Sequence, residues 1–130
     1  MTQSTEIQYW TARAGNLRIG SGNPIVIQTM CDTRTSDVDA TLAQCLRLHH
    51  AGAQLIRITV PGPTDVECLK AIKEGLRARG VETPLVADIH FSSRTAILAA
   101  RVAEKVRINP GNFHRDHTEA RMQFYASMAQ

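Results

Sequence analysis

Residues 84–91, PLVADIHF, decide the fold. Side chains alternate along a strand, so Leu85, Ala87 and Ile89 share one face and Val86, Asp88 and His90 share the other. The first face is apolar throughout, and the second ends in a carboxylate and an imidazole. Two further apolar runs end in the same way: residues 55–60 (LIRITV) set Arg57 with Thr59, and residues 106–109 (VRIN) set Arg107 with Asn109. An earlier run, residues 25–30 (IVIQTM), puts Gln28 in the matching place. These four strands read as neighbours in one parallel sheet, and their shared polar end reads as the floor of an active site.

Helix signals separate the runs. Thr35 and Ser36 precede Asp37 and Asp39, acids that suit the positive end of a helix dipole, so a helix starts near Asp37. Val38, Leu42, Cys45 and His49 recur at helical spacing, and Gly52 supplies the stop. After the Pro61-Gly62-Pro63 turn, Thr64 or Asp65 caps a second helix with Val66, Leu69, Ile72 and Leu76 inward. Lys70, Lys73, Glu74 and Arg77 then face solvent, and Gly80 ends the helix. Ser92 or Ser93 begins a small-residue helix running to Val102, and a further helix starts between Asp116 and Glu119. Strict alternation of strand and helix implies a parallel sheet with helical crossovers. Ahead of it, residues 14–24 (AGNLRIGSGNP) read as a small hairpin that caps the bottom of a sheet or barrel.

Cost decides between an open sheet and a barrel. In an open doubly wound sheet, helices cover both faces, and burying an unpaired charge there costs several kcal/mol. In a (β/α)8 barrel the same positions line the interior and open to substrate at the C-terminal rim. The expected architecture is therefore α/β, the first half of a (β/α)8 TIM barrel: a complete barrel takes about 250 residues, and this sequence has 130. Residues 1–23 form the lead and hairpin, and residues 24–130 the first half of a TIM-barrel substrate-binding domain.

Composition narrows the function classes. The chain is 43% hydrophobic and 21% charged, within the globular range. Its formal charge of +3 comes from scattered basic residues with no block interleaved with aromatics, which argues against a nucleic-acid partner. No apolar run approaches the roughly 20 residues of a membrane span, and the opening MTQSTEIQYW has no leader pattern, so the expected location is the cytoplasm. Cys31, Cys45 and Cys68 lack the short paired spacing of a zinc or disulfide framework, and none is read as a metal ligand.

The inward polar groups form the candidate site. Neighbouring strands lie about 4.8 Å apart, which sets Arg57 and Arg107 roughly 10 Å apart with Asp88 between them. Two guanidiniums and one carboxylate leave a net positive charge at a partly desolvated rim, and their planar forks suit phosphoryl oxygens. A plainer reading of the same trio is a network that holds the barrel together. His90 serves either as a proton donor, as a second hydrogen-bond donor to phosphate, or as an ordinary hydrogen-bonding residue. His49, His50, His114 and His117 read as surface residues. The Asn109-Pro110-Gly111-Asn112 turn offers amides to an anion.

The segments PIVIQTM, SDVDATLAQ, AGAQLIRITVPG, PLVADIHF and KVRINPGNF, in this order, resemble the N-terminal barrel segment of the 4-hydroxy-3-methylbut-2-enyl diphosphate synthase family. The resemblance runs from about Gly15 to Phe113. It implies an oxidoreductase of the methylerythritol phosphate route to isoprenoids, with 2-C-methyl-D-erythritol 2,4-cyclodiphosphate bound at the barrel mouth. Two-electron reduction, fed by ferredoxin or flavodoxin through a [4Fe–4S] cluster on a C-terminal domain of a homodimer, opens the ring and expels a hydroxyl as water. By motif, Arg57 and Arg107 match diphosphate-binding arginines, and Asp88, His90 and Asn109 match polar residues around the substrate. The cluster ligands have no match in this segment, no residue here is assigned a certain catalytic role, and the segment alone is expected not to catalyse. Two alternatives stand beside this reading: a dihydropteroate synthase-like phosphate-binding barrel enzyme, and a non-catalytic half-barrel that self-associates through its strand edges.

Overall fold

The computed structural model describes residues 10–20, 22–90 and 92–111. An antiparallel hairpin comes first, β1 (Ala12–Ala14) with β2 (Leu17–Ile19). Then β3 (Gln28–Met30), α1 (Val38–His50), β4 (Leu55–Val60), α2 (Pro63–Ala78), β5 (Leu85–Ile89), α3 (Ser93–Ala100) and β6 (Lys105–Arg107) follow in strict alternation. The last four strands form one sheet in the order β3-β4-β5-β6, and every pairing is parallel. Sequence order equals spatial order, as the first half of a (β/α)8 barrel requires. The helix expected between Asp116 and Glu119 lies outside the described residues, as do Phe91, Asn112, Phe113, His114 and His117.

Burial follows the strand alternation. Ile56, Ile58 and Val60 of β4 and Leu85, Ala87 and Ile89 of β5 lie in one core with Val66, Leu69, Ile72 and Leu76 of α2 and Ala96 and Ala99 of α3. Each Leu or Ile fully withdrawn from water contributes about 1.5–3 kcal/mol, so this layer fixes which face turns to the helices. A second, smaller cluster lies on the opposite face: Ala14 of the hairpin packs on Leu55 and Val86, with Leu17, Ile19 and Val26 alongside. The hairpin thus closes the N-terminal end of the inner face.

Local sequence sets the helix ends. Asp37 caps α1, its Oδ1 accepting the Ala40 N–H at 3.1 Å, and Ser92 caps α3, its Oγ accepting the Thr95 N–H at 3.3 Å. The stops at Gly52 and Gly80 both have positive φ, 105° and 74°. For α2 the expected cap shifts. Gly62 is the cap, Pro63 takes the first helical position where its missing N–H is no loss, and Asp65 accepts the Gly62 N–H at 3.1 Å.

Three other expectations change. The first parallel strand is shorter than residues 25–30, because the Ile27 carbonyl accepts the Gln54 and Leu55 N–H groups and Gln54 Oε1 accepts the Ile27 N–H. Ile25 and Ile27 are left exposed. His49, read as a surface residue, is half-buried, and its Nδ1 lies 2.8 Å from Thr83 Oγ1. Lys73 and Arg77, read as facing solvent, turn instead onto Glu104 just before β6.

Glu104 ties α2 to the sheet. Its Oε1 meets Lys73 Nζ at 2.8 Å and Arg77 Nη2 at 2.9 Å, while its Oε2 accepts the Leu85 N–H at 2.8 Å. Burial alone pushes this carboxyl up, but the Leu85 N–H and Lys73 outweigh it, and the net direction is down from 4.5. A carboxyl depressed in the folded state contributes stability that is present above its unfolded value and lost as pH falls through its folded one. Glu104→Gln is therefore expected to destabilise the fold by about 1–3 kcal/mol at neutral pH. The difference between variant and parent should shrink as urea melts are repeated below pH 4.5; a gap that stays constant would contradict the assignment.

Candidate anion-binding mouth

Register brings the polar ends together. Thr59 of β4 is level with Asp88 of β5, and Asp88 is level with Arg107 of β6. Arg57 sits one inward-facing position lower, level with Val86 and with Met30 of β3. Its long side chain climbs to the same carboxylate. Nε and Nη2 of Arg57 both donate to Asp88 Oδ2, at 3.0 and 2.7 Å. From the other side, Arg107 Nη1 donates to Asp88 Oδ1 at 3.2 Å. One carboxylate thus holds two guanidiniums from the strands that flank it.

Exposure grades across the trio in a useful way. Asp88 is 1% exposed, whereas the side chains of Arg57 and Arg107 are 26% and 42% exposed. A covered carboxylate has to be paired, and two charge-assisted contacts satisfy it. The uncovered parts of both guanidiniums then face the open side of the rim with a net positive charge. Among the described residues, Arg57 Nη1 and Arg107 Nε and Nη2 take no other partner. His90 stands beside them, its Nε2 4.0 Å from Asp88 Oδ2.

Four of the five expected site residues, Arg57, Asp88, His90 and Arg107, therefore gather at one place. Asn109 lies two residues past the end of β6, and its Oδ1 accepts the Gly111 N–H at 3.1 Å in a local turn. Gln28 is also not the counterpart of Arg57. The register gives that position to Met30, one inward-facing position further along β3.

The loop after β3 is anchored by Gln44, which no sequence pattern marks, and by Thr35, read from sequence only as part of a helix start. Gln44 of α1 donates from Nε2 to Asp32 Oδ1 at 2.7 Å, and its Oε1 accepts the Asp32 and Thr33 N–H groups. Thr35 Oγ1 donates to the Thr59 carbonyl, linking this loop to the end of β4. Side-chain amides have no sequence period, and only the folded approach of α1 to the loop reveals them. Among the described residues, no group of three or more His, Cys, Asp or Glu side chains could hold a metal ion, and no helix is long and apolar enough to cross a membrane.

Parallel strands joined by helices, polar groups gathered at the strands' C-terminal ends and an apolar plug at the other end define a TIM-barrel protein. More narrowly, the chain belongs to the GcpE TIM-barrel domain family, whose model matches residues 10–130. It is 45% identical over 101 residues to the 4-hydroxy-3-methylbut-2-en-1-yl diphosphate synthase (flavodoxin) of Leptospira interrogans, covering 78% of this chain and 15% of that protein. Against the protein of the same name from Chlorobaculum tepidum, identity is 48% over 99 residues, 76% of this chain and 13% of the relative. The Lysinibacillus sphaericus protein of that name is 47% identical over 104 residues, 79% of this chain and 27% of the relative. The matched stretch is thus a small part of each relative's length.

Proposed function

We propose that this mouth is a diphosphate cradle. The protein that contains it would carry out the reductive ring opening and dehydration of 2-C-methyl-D-erythritol 2,4-cyclodiphosphate to 4-hydroxy-3-methylbut-2-enyl diphosphate in isoprenoid biosynthesis. The observation that carries this reading is the buried Asp88 carboxylate holding Arg57 and Arg107 at one rim with donors to spare. The relatives' names, which specify a diphosphate product and flavodoxin, support it. The dihydropteroate synthase-like alternative rests on the barrel alone, which both readings share, and the family match favours the first.

In this reading each residue has a distinct task. Asp88 fixes the two guanidinium planes before substrate arrives, so little ordering remains to be done on binding. The outward donors of Arg57 and Arg107 take phosphoryl oxygens, and they hold the diphosphate while the ring oxygen leaves carbon and its negative charge grows. His90 donates a hydrogen bond or a proton at the same edge, and Asn109 contributes an amide from the turn after β6. Flavodoxin or ferredoxin supplies the electrons, and the working protein is a cytoplasmic homodimer. The reading includes a [4Fe–4S] cluster, which the described residues do not fit: Cys31 and Cys45 are buried against each other, and Cys68 lies apart on α2. The tasks of these residues are therefore confined to binding and charge stabilisation at the mouth.

Calorimetric titration of the full-length protein with the cyclodiphosphate tests the cradle. Arg107→Ala should weaken affinity by about 10- to 100-fold, the equivalent of one charge-assisted contact at roughly 1.5–3 kcal/mol. Affinity of the parent should also fall as salt is raised. Undiminished binding by Arg107→Ala, with the melting temperature unchanged, would remove the basis for the reading.

A further inference from the structure

The mouth leaves one pair of reactive atoms without a task. Cys31 follows β3 directly and Cys45 lies midway along α1, and their Sγ atoms are 3.5 Å apart. Strand alternation explains the approach, since Thr29 and Cys31 share the helix-facing side of the first parallel strand. Cys45 is on the buried face of α1 with Thr41. Backbone contacts hold both ends in place. The Cys31 N–H donates to the Arg57 carbonyl at 2.9 Å, and Cys45 sits within a 13-residue helix.

The two thiols are not equivalent. Cys31 is 5% exposed and Cys45 is fully covered. The hydrogen bond with Cys45 lowers the Cys31 thiol below its ordinary value against the opposing effect of burial, and the same bond, with burial, raises that of Cys45. Cys31, the less covered of the two, is the member a small reagent reaches first.

We propose that Cys31 and Cys45 form an oxidation site, at which a small hydroperoxide converts the pair into a reversible disulfide between the end of β3 and α1. The Cys31 thiolate attacks one peroxide oxygen, the O–O bond breaks, and the other oxygen leaves with a proton as water or an alcohol. Cys31 is then a sulfenic acid, oxidised by two electrons. Cys45 loses its proton, forms the S–S bond and expels the sulfenic oxygen, which leaves as water. The sulfur atoms need to close by about 1.5 Å to reach the bonding distance of about 2.05 Å, a movement within reach of side-chain rotation. The bond would tie the strand that pairs with Arg57 to the helix that anchors the loop after β3.

Full-length protein treated with hydrogen peroxide, alkylated and digested with trypsin without reductant gives the test. Trypsin cuts after Arg18, Arg34 and Arg47, so the two cysteines leave in separate peptides, residues 19–34 and 35–47. The expected product is those two peptides joined, lighter than their sum by two hydrogens and separated by dithiothreitol. Cys68, which has no thiol neighbour among the described residues, serves as the internal reference. In Cys45→Ser, Cys31 should stop at the sulfenic acid and be labelled by dimedone more strongly than in the parent. Peptides that stay separate at a peroxide dose that oxidises Cys68 would overturn the proposal, as would equal dimedone labelling of Cys31 in parent and variant. The cross-link in the parent is read without any substitution, so misfolding of the variant does not protect the idea.

Discussion

Asp88→Asn is expected to weaken cyclodiphosphate binding by about tenfold or more, although it removes a negative charge from the place proposed for an anion. The two conceivable outcomes have opposite signs. If charge alone mattered, deleting the carboxylate would make the rim more positive and binding tighter. The geometry argues otherwise: Asp88 receives Arg57 twice and Arg107 once. An amide has one oxygen to offer and cannot receive both sides, so at least one guanidinium is released to wander. Misplacing one charge-assisted contact of roughly 1.5–3 kcal/mol corresponds to a loss of about tenfold or more. Stability should fall as well. Breaking a fully buried pair costs about 3–5 kcal/mol, and because both arginines reach solvent the expected loss here is smaller, about 2–3 kcal/mol. Titration calorimetry and urea melts on the same preparation separate the effects, and tighter binding by Asp88→Asn would refute the positioning role.

Arg57→Ala should have the largest effect on affinity, about 100-fold. In the proposed cradle this residue contributes a donor to the phosphoryl group, and it supplies two of the three hydrogen bonds that hold Asp88. Removing it leaves a carboxylate 1% exposed with one of its three guanidinium contacts, Arg107 at 3.2 Å. Arg57→Lys is the discriminating comparison. A lysine restores the charge but not the planar fork, and it cannot bridge Asp88 and a phosphate in one plane. It should therefore recover stability more fully than affinity. A lysine variant that binds like the parent would mean that net charge suffices and the fork is incidental.

The convergence of these groups was legible because strand alternation is rigid. Asp88 and His90 share a face by parity alone, as do Arg57 and Thr59, and the cost of burying charge turned that face toward a mouth. Register was not legible. Parity says which face Gln28 occupies but not how far β3 slides along β4, and the pairing of Met30 with Arg57 depends on Gln54 engaging Ile27. Helix surfaces hide partners for a related reason. Lys73 and Arg77 lie on the polar side of α2, yet long basic side chains bury their stems and deliver charge to a partner distant in sequence, here Glu104. The approach of Cys31 to Cys45 could have been reached by parity: a strand-end residue on the helix side faces the core stripe of the helix that follows.

The hairpin stopper at the foot of the sheet has a kinetic corollary. With Ala14 seated on Leu55 and Val86, the inner face of β4 and β5 is closed at its foot, and in the proposed cradle a ligand reaches Arg57 and Arg107 from the rim above. In that reading, arrival of substrate and departure of product share the rim side of these strands, so anything that covers the rim governs both.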